Sequence, residues 1–289
     1  MAGEGVTDLL FTRHVTSAWC RRGRCTTLLT LAVTLAAGCG GNDGRIPTDV
    51  VDPDRYLFEQ GQAALEEGDW FDARQYFGQI IDNYPGSTRR AAAKLGVADS
   101  FFGEHSVESL VLAANEYSEF LRFYPTHQRA DYAQYRLAMT SFEQMRAPER
   151  DQTDTRNALR ELERFLAAYP RSDLLPEVET KWREARSRLS EAVYLVGRHN
   201  LRRGAYRGAW SRFEEILADD PEYPGRDLVY FYLAETWAKS DTNNREVDQA
   251  NRMRAIEYLE RLLAEFPESE KHGEAAERLE RLQEEIKAE

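Results

Sequence analysis

The sequence predicts an all-α repeat solenoid of five helix pairs with a C-terminal capping helix. Three observations carry this. Prolines recur as helix stops at Pro85, Pro125, Pro170, Pro221 and Pro267, with spacings of 40, 45, 51 and 46 residues. Two segments repeat one pattern of small, turn, aromatic and large residues at identical offsets. No run of alternating β-branched residues follows Val51, so strand signals are nearly absent.

The first unit sets Gly61, Gly68, Trp70, Ala73, Phe77 and Pro85 at the positions of a tetratricopeptide repeat. Gly61 and Ala73 let helices A and B approach closely, and Trp70 and Phe77 fill the space between them. Gly68 permits the turn, and Pro85 stops helix B. The second unit keeps Ala98, Ala113, Tyr117 and Pro125, with about three extra residues expected between its helices. The third keeps Ala138, Ala158, Leu162 and Pro170, with a polar insertion around Ala147 to Thr155. Glu177 to Arg203 lacks proline and predicts one helix of roughly 40 Å. This helix should couple three N-terminal repeats to two C-terminal ones. The fourth unit returns to the strict pattern with Gly197, Gly204, Tyr206, Ala209, Phe213 and Pro221. The fifth keeps Ala234, Ala255, Leu259 and Pro267, with an insertion from Ser240 to Gln249. Each insertion falls between helix A and helix B, so these loops should project from one edge. The segment from about Ser269 to Lys287 is rich in Glu and Arg and reads as the cap that covers a terminal apolar face.

The N-terminus has another character. Arg21, Arg22 and Arg24 precede Thr26 to Ala37, twelve residues without charge. A helix of that length spans about 18 Å against a hydrocarbon core of roughly 30 Å, so the run reads as a leader, not a span. It ends in Leu35-Ala36-Ala37-Gly38-Cys39. That segment resembles a bacterial lipobox, with Ala36 where the usual Leu would stand. The resemblance implies acylation of Cys39, which becomes the mature N-terminus; the alternative is an ordinary leader with a chance cysteine. Several chains would be needed, because one anchors only marginally. Cys20 and Cys25 would leave with the leader, and a chain without free thiols suits an oxidising periplasm. Residues 1–38 are thus expected to be the leader, 39–53 a flexible Gly/Pro/Asp tether, 54–174 the N-terminal repeats, and 175–289 the long helix, the last repeats and the cap. Gly40 after the cysteine favours the outer membrane.

Lys and Arg number 38 against 50 Asp and Glu. Removing the leader takes away four Arg and two acids, leaving 34 against 48 and a charge of -14. That argues against non-specific nucleic-acid binding, which needs a basic face. The chain has no Walker loop, GxSxG, HExxH or paired CxxC, so an enzyme reading has no residue support and no cofactor is expected. His105, His127, His199 and His272 are too far apart in sequence for a helical metal pair. The stretch from Asp241 lacks the Gly and terminal acid of a calcium loop. Asp219-Asp220 is expected at a solvated helix end.

A more specific match adds to this. Pro125-Thr126-His127 with Asp131-Tyr132 and Tyr135 resembles the PTH…DY..Y segment of the BamD family of β-barrel assembly lipoproteins. Glu149-Arg150-Asp151 with Arg156 resembles its DRD…R insertion. Tyr169-Pro170-Arg171-Ser172 resembles its YPxS stop. Arg203-Gly204-Ala205-Tyr206 with Arg212 resembles its RGAY turn and following Arg. Val193 and His199-Asn200 depart from the family's usual Glu and Tyr pair.

The resemblance implies a lipid-anchored scaffold on the periplasmic face of the outer membrane. Such proteins bind a POTRA domain of the barrel protein BamA through the C-terminal half. They receive signals of unfolded barrel proteins on the N-terminal half. Carried over by position, Arg212 and Arg203 would contact the BamA-type partner; an intrarepeat salt bridge from Arg212 to Glu215 is the competing reading. Helix A positions five, nine and twelve would line a peptide groove: Phe58, Gln62 and Leu65; Leu95, Asp99 and Phe102; Tyr135, Met139 and Phe142. Packing between repeats is the alternative for each. His127 and Asp131 are read as fixing the inter-repeat turn. The rival function is a periplasmic adaptor lipoprotein for Tol–Pal or cell-wall coordination.

Overall fold

The computed structural model describes residues 46, 48 and 50–288. The leader and Cys39 lie outside them. Eleven α-helices occupy the described residues, in five antiparallel pairs and a last single helix. They are α1 Pro53–Glu67 with α2 Trp70–Asn83, α3 Arg90–Glu104 with α4 Val107–Phe123, and α5 Ala130–Phe142 with α6 Thr153–Ala168. Then come α7 Leu175–Arg202 with α8 Tyr206–Asp219, α9 Arg226–Ala238 with α10 Arg245–Glu265, and α11 His272–Ala288. Each helix packs on its predecessor and its successor, the nearest-neighbour logic of a tetratricopeptide solenoid.

Every B helix ends two residues before its proline. Tyr84, Tyr124, Tyr169, Asp220 and Phe266 stand between, with φ from -125° to -134° and ψ from 51° to 75°. A proline ring pushes the preceding residue out of the helical region, so five stops share one geometry. Gly68 and Gly204 turn the strict repeats with φ of 81° and 73°, where a side chain would be strained.

The small residues act as the pattern required. A Cβ on Gly61 would lie 2.7 Å from Phe77, and one on Gly197 would lie 2.7 Å from Phe213. Phe77 is also pressed from the other side, where a Cβ on Gly96 of α3 would come within 2.4 Å. One ring thus locks three helices together.

The insertions are shorter than expected because helices absorb them. Only His105 and Ser106 separate α3 from α4. Ser106 caps α4 in a reciprocal pair with Ser109, which starts that helix early and leaves it 17 residues long. In the fifth repeat Asn244 caps α10, so half of the Ser240 to Gln249 stretch is helical. Asp248 accepts from the Thr242 backbone and hydroxyl, both at 2.8 Å; those acids shape a loop. The third insertion runs from Glu143 to Gln152 and keeps its loop.

The second residue after four of the five prolines makes the same connection, a feature the sequence reading did not foresee. Ser87 donates to Asp54, Ser172 to Asp131 at 2.6 Å and Ser269 to Asp227 at 2.5 Å. Tyr223 in the fourth repeat donates to Glu191. Each bond joins the exit of helix B to helix A of its own repeat. In the second repeat Ala91 replaces the acid, and His127 instead stacks edge-on against Phe120 at 5.4 Å. Its Nδ1 still accepts the Arg129 backbone N–H at 3.1 Å, as the serines do at the same place.

The buried residues form three clusters. One joins the first repeat to Ala93 of α3, a second runs from Ala91 to Ala185, and a third from Tyr194 to Leu282. The last two part in the middle of α7. Asp220, expected at a solvated end, is 6% exposed there and accepts from Ser190 at 2.7 Å. Asp220 docks on α7, while Asp219 beside it is exposed, as expected of a solvated end.

Burial lifts the hydroxyls of Tyr117, Tyr132, Tyr135, Tyr194 and Tyr223 above their ordinary value. Tyr132 and Tyr194 are pushed up to about 12. Below the unfolded value of about 10 both states hold these protons and stability is complete. Above it the unfolded chain releases them first. The urea midpoint should therefore fall steeply between pH 10 and 12, in step with tyrosinate absorbance. A midpoint indifferent to pH in that window would contradict the tyrosine burial.

Candidate partner-binding cleft

Where the two cores part, α7 forms the floor of a cleft of about 600 Å³. The third-repeat insertion (Pro148 to Gln152) makes one wall. Leu189, Val193 and Val196 give the floor an apolar surface, and α8 contributes Arg212 and Glu215.

The insertion is held from within. Gln152 is 5% exposed. Its amide donates to the carbonyls of Ala147 and Arg150 at 2.8 and 3.1 Å. Its oxygen accepts from Thr155 at 2.8 Å. Arg188 of α7 reaches across to the Arg146 carbonyl at 2.9 Å. One buried amide therefore fixes the loop and presents Glu149, Arg150 and Asp151 outward, all exposed. The reading in sequence missed Gln152, whose signal was an uncharged amide directly after Glu149-Arg150-Asp151.

The cleft gathers motif residues that are far apart in sequence. Glu149, Arg150, Asp151, Arg156, Val193, His199 and Arg212 all line it. Arg156 lies 3.9 Å from Asp151. Arg212 Nη1 pairs with Glu215 Oε2 at 2.5 Å, with side chains 48% and 36% exposed. The intrarepeat pair foreseen for Arg212 thus exists. A pair that open to solvent is worth roughly 0–1 kcal/mol, and it leaves half of the guanidinium available. Arg203 is exposed in the turn after α7 and is not among the cleft residues.

The residues expected along helix A faces divide. Gln62 is exposed, and Phe58 is half-buried, edge-on to Phe77 at 5.7 Å. Leu95 is fully buried, and Phe102, Tyr135, Met139 and Phe142 are 6–8% exposed, all within the second core. These five pack between repeats, the alternative left open for them. In α3 and α5 these positions face the next repeat once the pairs stack, and there the apolar ones contribute stability. Asp99 is half-buried and accepts from Tyr117 at 2.5 Å and from Tyr132 at 2.8 Å. Tyr135 donates to Glu177 at 2.6 Å. Asp131 and His127 sit at the turns, in the bonds described above.

No helix among the described residues is long and apolar enough to cross a membrane. No group of three or more potential metal ligands occurs among them.

Comparison with known proteins follows the same residues. Residues 51–227 match the family model YfiO, described as outer membrane lipoprotein. The outer membrane protein assembly factor BamD of Caulobacter vibrioides is 28% identical over 191 residues, 65% of this chain and 61% of that protein. Its namesake from Vibrio cholerae serotype O1 is 25% identical over 202 residues, 66% of this chain and 81% of that one. The aligned region thus spans less than two thirds of the Caulobacter relative's length. The family match takes in the first four repeats and the whole cleft, from the insertion to Glu215, and on that basis this chain belongs to the YfiO family of outer membrane lipoproteins, the BamD family.

Proposed function

We propose that this protein is an outer-membrane assembly lipoprotein that works as a scaffold. It binds the POTRA domain of a BamA-type barrel through the cleft on α7, and it receives unfolded barrel proteins on its N-terminal repeats. The observation that carries this reading is the convergence of Arg150, Arg156 and Arg212 on one apolar-floored cleft. Arginines beside apolar surface make the kind of centre at which interface energy concentrates, and the planar fork suits a partner carboxylate.

Affinity purification from detergent-solubilised outer membrane tests the assignment. A BamA-type barrel should co-purify. Recovery of Tol–Pal proteins without such a barrel would replace the reading with that of an envelope adaptor.

The anchor is part of the same proposal. Cys39 carries the acyl chains, and about 0.8 kcal/mol per buried CH₂ makes several chains a firm hold. Cys39→Ala should move the protein into the soluble periplasmic fraction. Tight membrane retention of that variant would contradict lipid anchoring.

A further inference from the structure

Arg136 of α5 is a shielded cation without a counter-ion. Its guanidinium carbon lies 3.6 Å from the centre of the Phe102 ring and 5.9 Å from that of Tyr132. Its Nε points at the Tyr117 hydroxyl, a long contact of 3.4 Å. Among the described residues no carboxylate comes within ion-pair distance of it. Comparably shielded cations on other A helices are treated differently. Lys94 of α3 holds Glu116 at 2.6 Å, and Arg226 of α9 holds Glu265 at 2.6 Å.

The nearby carboxylate is Asp99, and it is already engaged. One of its oxygens accepts both the Tyr117 and the Tyr132 phenol. Those bonds fix the two rings that border Arg136. Phe102 beneath it is buried, 8% exposed. The result is a planar cation held in one orientation by a ring and a phenol. Its terminal nitrogens bond to no described group and are not sealed from water. Stacking on Phe102 and the long Tyr117 contact use only part of the guanidinium's donor capacity, and its terminal nitrogens stay free to donate. A carboxylate would complete it, because a guanidinium fork matches two carboxylate oxygens in one plane.

We propose that Arg136 is a carboxylate-binding residue, the anchor for a peptide lying across α3 and α5. This rests on the reading of the N-terminal repeats as a peptide-receiving surface, and it names the group that is recognised. The carboxylate can come from the end of the peptide or from an acidic side chain.

Three fluorescent peptides of one aromatic and apolar sequence separate these sources. The first has a free terminal carboxylate and no other acid. The second is the same with an amidated end. The third is amidated and carries one internal Glu. The purified full chain in detergent should bind the first or the third roughly ten- to a hundred-fold more tightly than the second, the worth of one charge-assisted pair. Preference for the first assigns the site to a chain end, and preference for the third to a side chain. Arg136→Met, which keeps the stem packed on Phe102, should bind all three as weakly as the wild type binds the second. Its circular dichroism and melting temperature serve as the control for folding. Equal binding of the three peptides by the wild type, or unchanged preference in Arg136→Met, would overturn the role of Arg136 and leave peptide reception standing. Binding of none of them by the wild type would overturn both.

Discussion

Phe77→Ala should lower the stability of the first repeat by about 3–5 kcal/mol, the upper range for removing a buried aromatic. The size follows from what surrounds the ring. Phe77 is 1% exposed and lies between Gly61 and Gly96. Those two walls are backbone and cannot swing into the hole; only the half-buried Phe58 ring, edge-on at 5.7 Å, can lean toward it, and helices move toward a cavity only at the expense of their other contacts. Phe213 holds the same place in the fourth repeat but has softer surroundings. Gly197 presses it from one side, and the rings of Tyr194 and Tyr232 lie 6.1 and 6.5 Å away. Tyr232 is half-buried and can relax, so Phe213→Ala should cost less. Stability in a solenoid is a sum over neighbours, and the first repeat has its own cluster of buried residues. Phe77→Ala should therefore speed hydrogen exchange in α1 and α2 and leave α8 to α10 protected. Uniform acceleration along the chain, or equal costs for the two variants, would refute this account of the packing.

Most of the fold was legible because its determinants are local. A proline that stops a helix, a glycine that turns one and a long stretch without either each act within a few residues. They located all five pairs and placed the long helix within two residues of its ends. The insertions were harder. Ser106 and Asn244 are ordinary polar residues until each caps a helix, and capping converts an apparent loop into helical turns. The bond after each proline escaped notice for another reason. Ser, His and Tyr occupy that place, and the acid that the serines and the tyrosine meet lies 30 or more residues earlier. Only the folded repeat shows that these positions are one. The predicted groove failed in part for a geometric reason. Spacing along helix A identifies a face, but not whether solvent or the next repeat covers it. Tyr135 and Met139 lie on the expected face and are buried by the following helices. The cleft was half legible. Its arginines stood out as motif residues, while Gln152, which fixes the insertion, carries no charge to draw attention.

Arg212→Glu should weaken association with a POTRA domain a hundred-fold or more and leave the fold intact. Both halves of that statement come from the Glu215 pair. With side chains 48% and 36% exposed, the pair contributes at most about 1 kcal/mol. Placing Glu beside Glu215 at this helical spacing adds a repulsion of a few tenths of a kcal/mol. Circular dichroism should therefore be unchanged and the melting temperature lowered by only a few degrees. An interface weighs the same residue differently. Removing one member of a buried, hydrogen-bonded charge pair costs about 2–5 kcal/mol, and tenfold in affinity corresponds to about 1.4 kcal/mol. Charge reversal adds repulsion to that loss. Arg212→Lys should fall between, since an ammonium keeps the charge but not the planar fork. Arg203→Glu changes the same charge outside the cleft and should cost less. Calorimetric titration of a purified POTRA domain into each variant measures the order. If Arg212→Glu binds as the wild type does, Arg212 serves only its own repeat, and the proposed POTRA contact does not run through it.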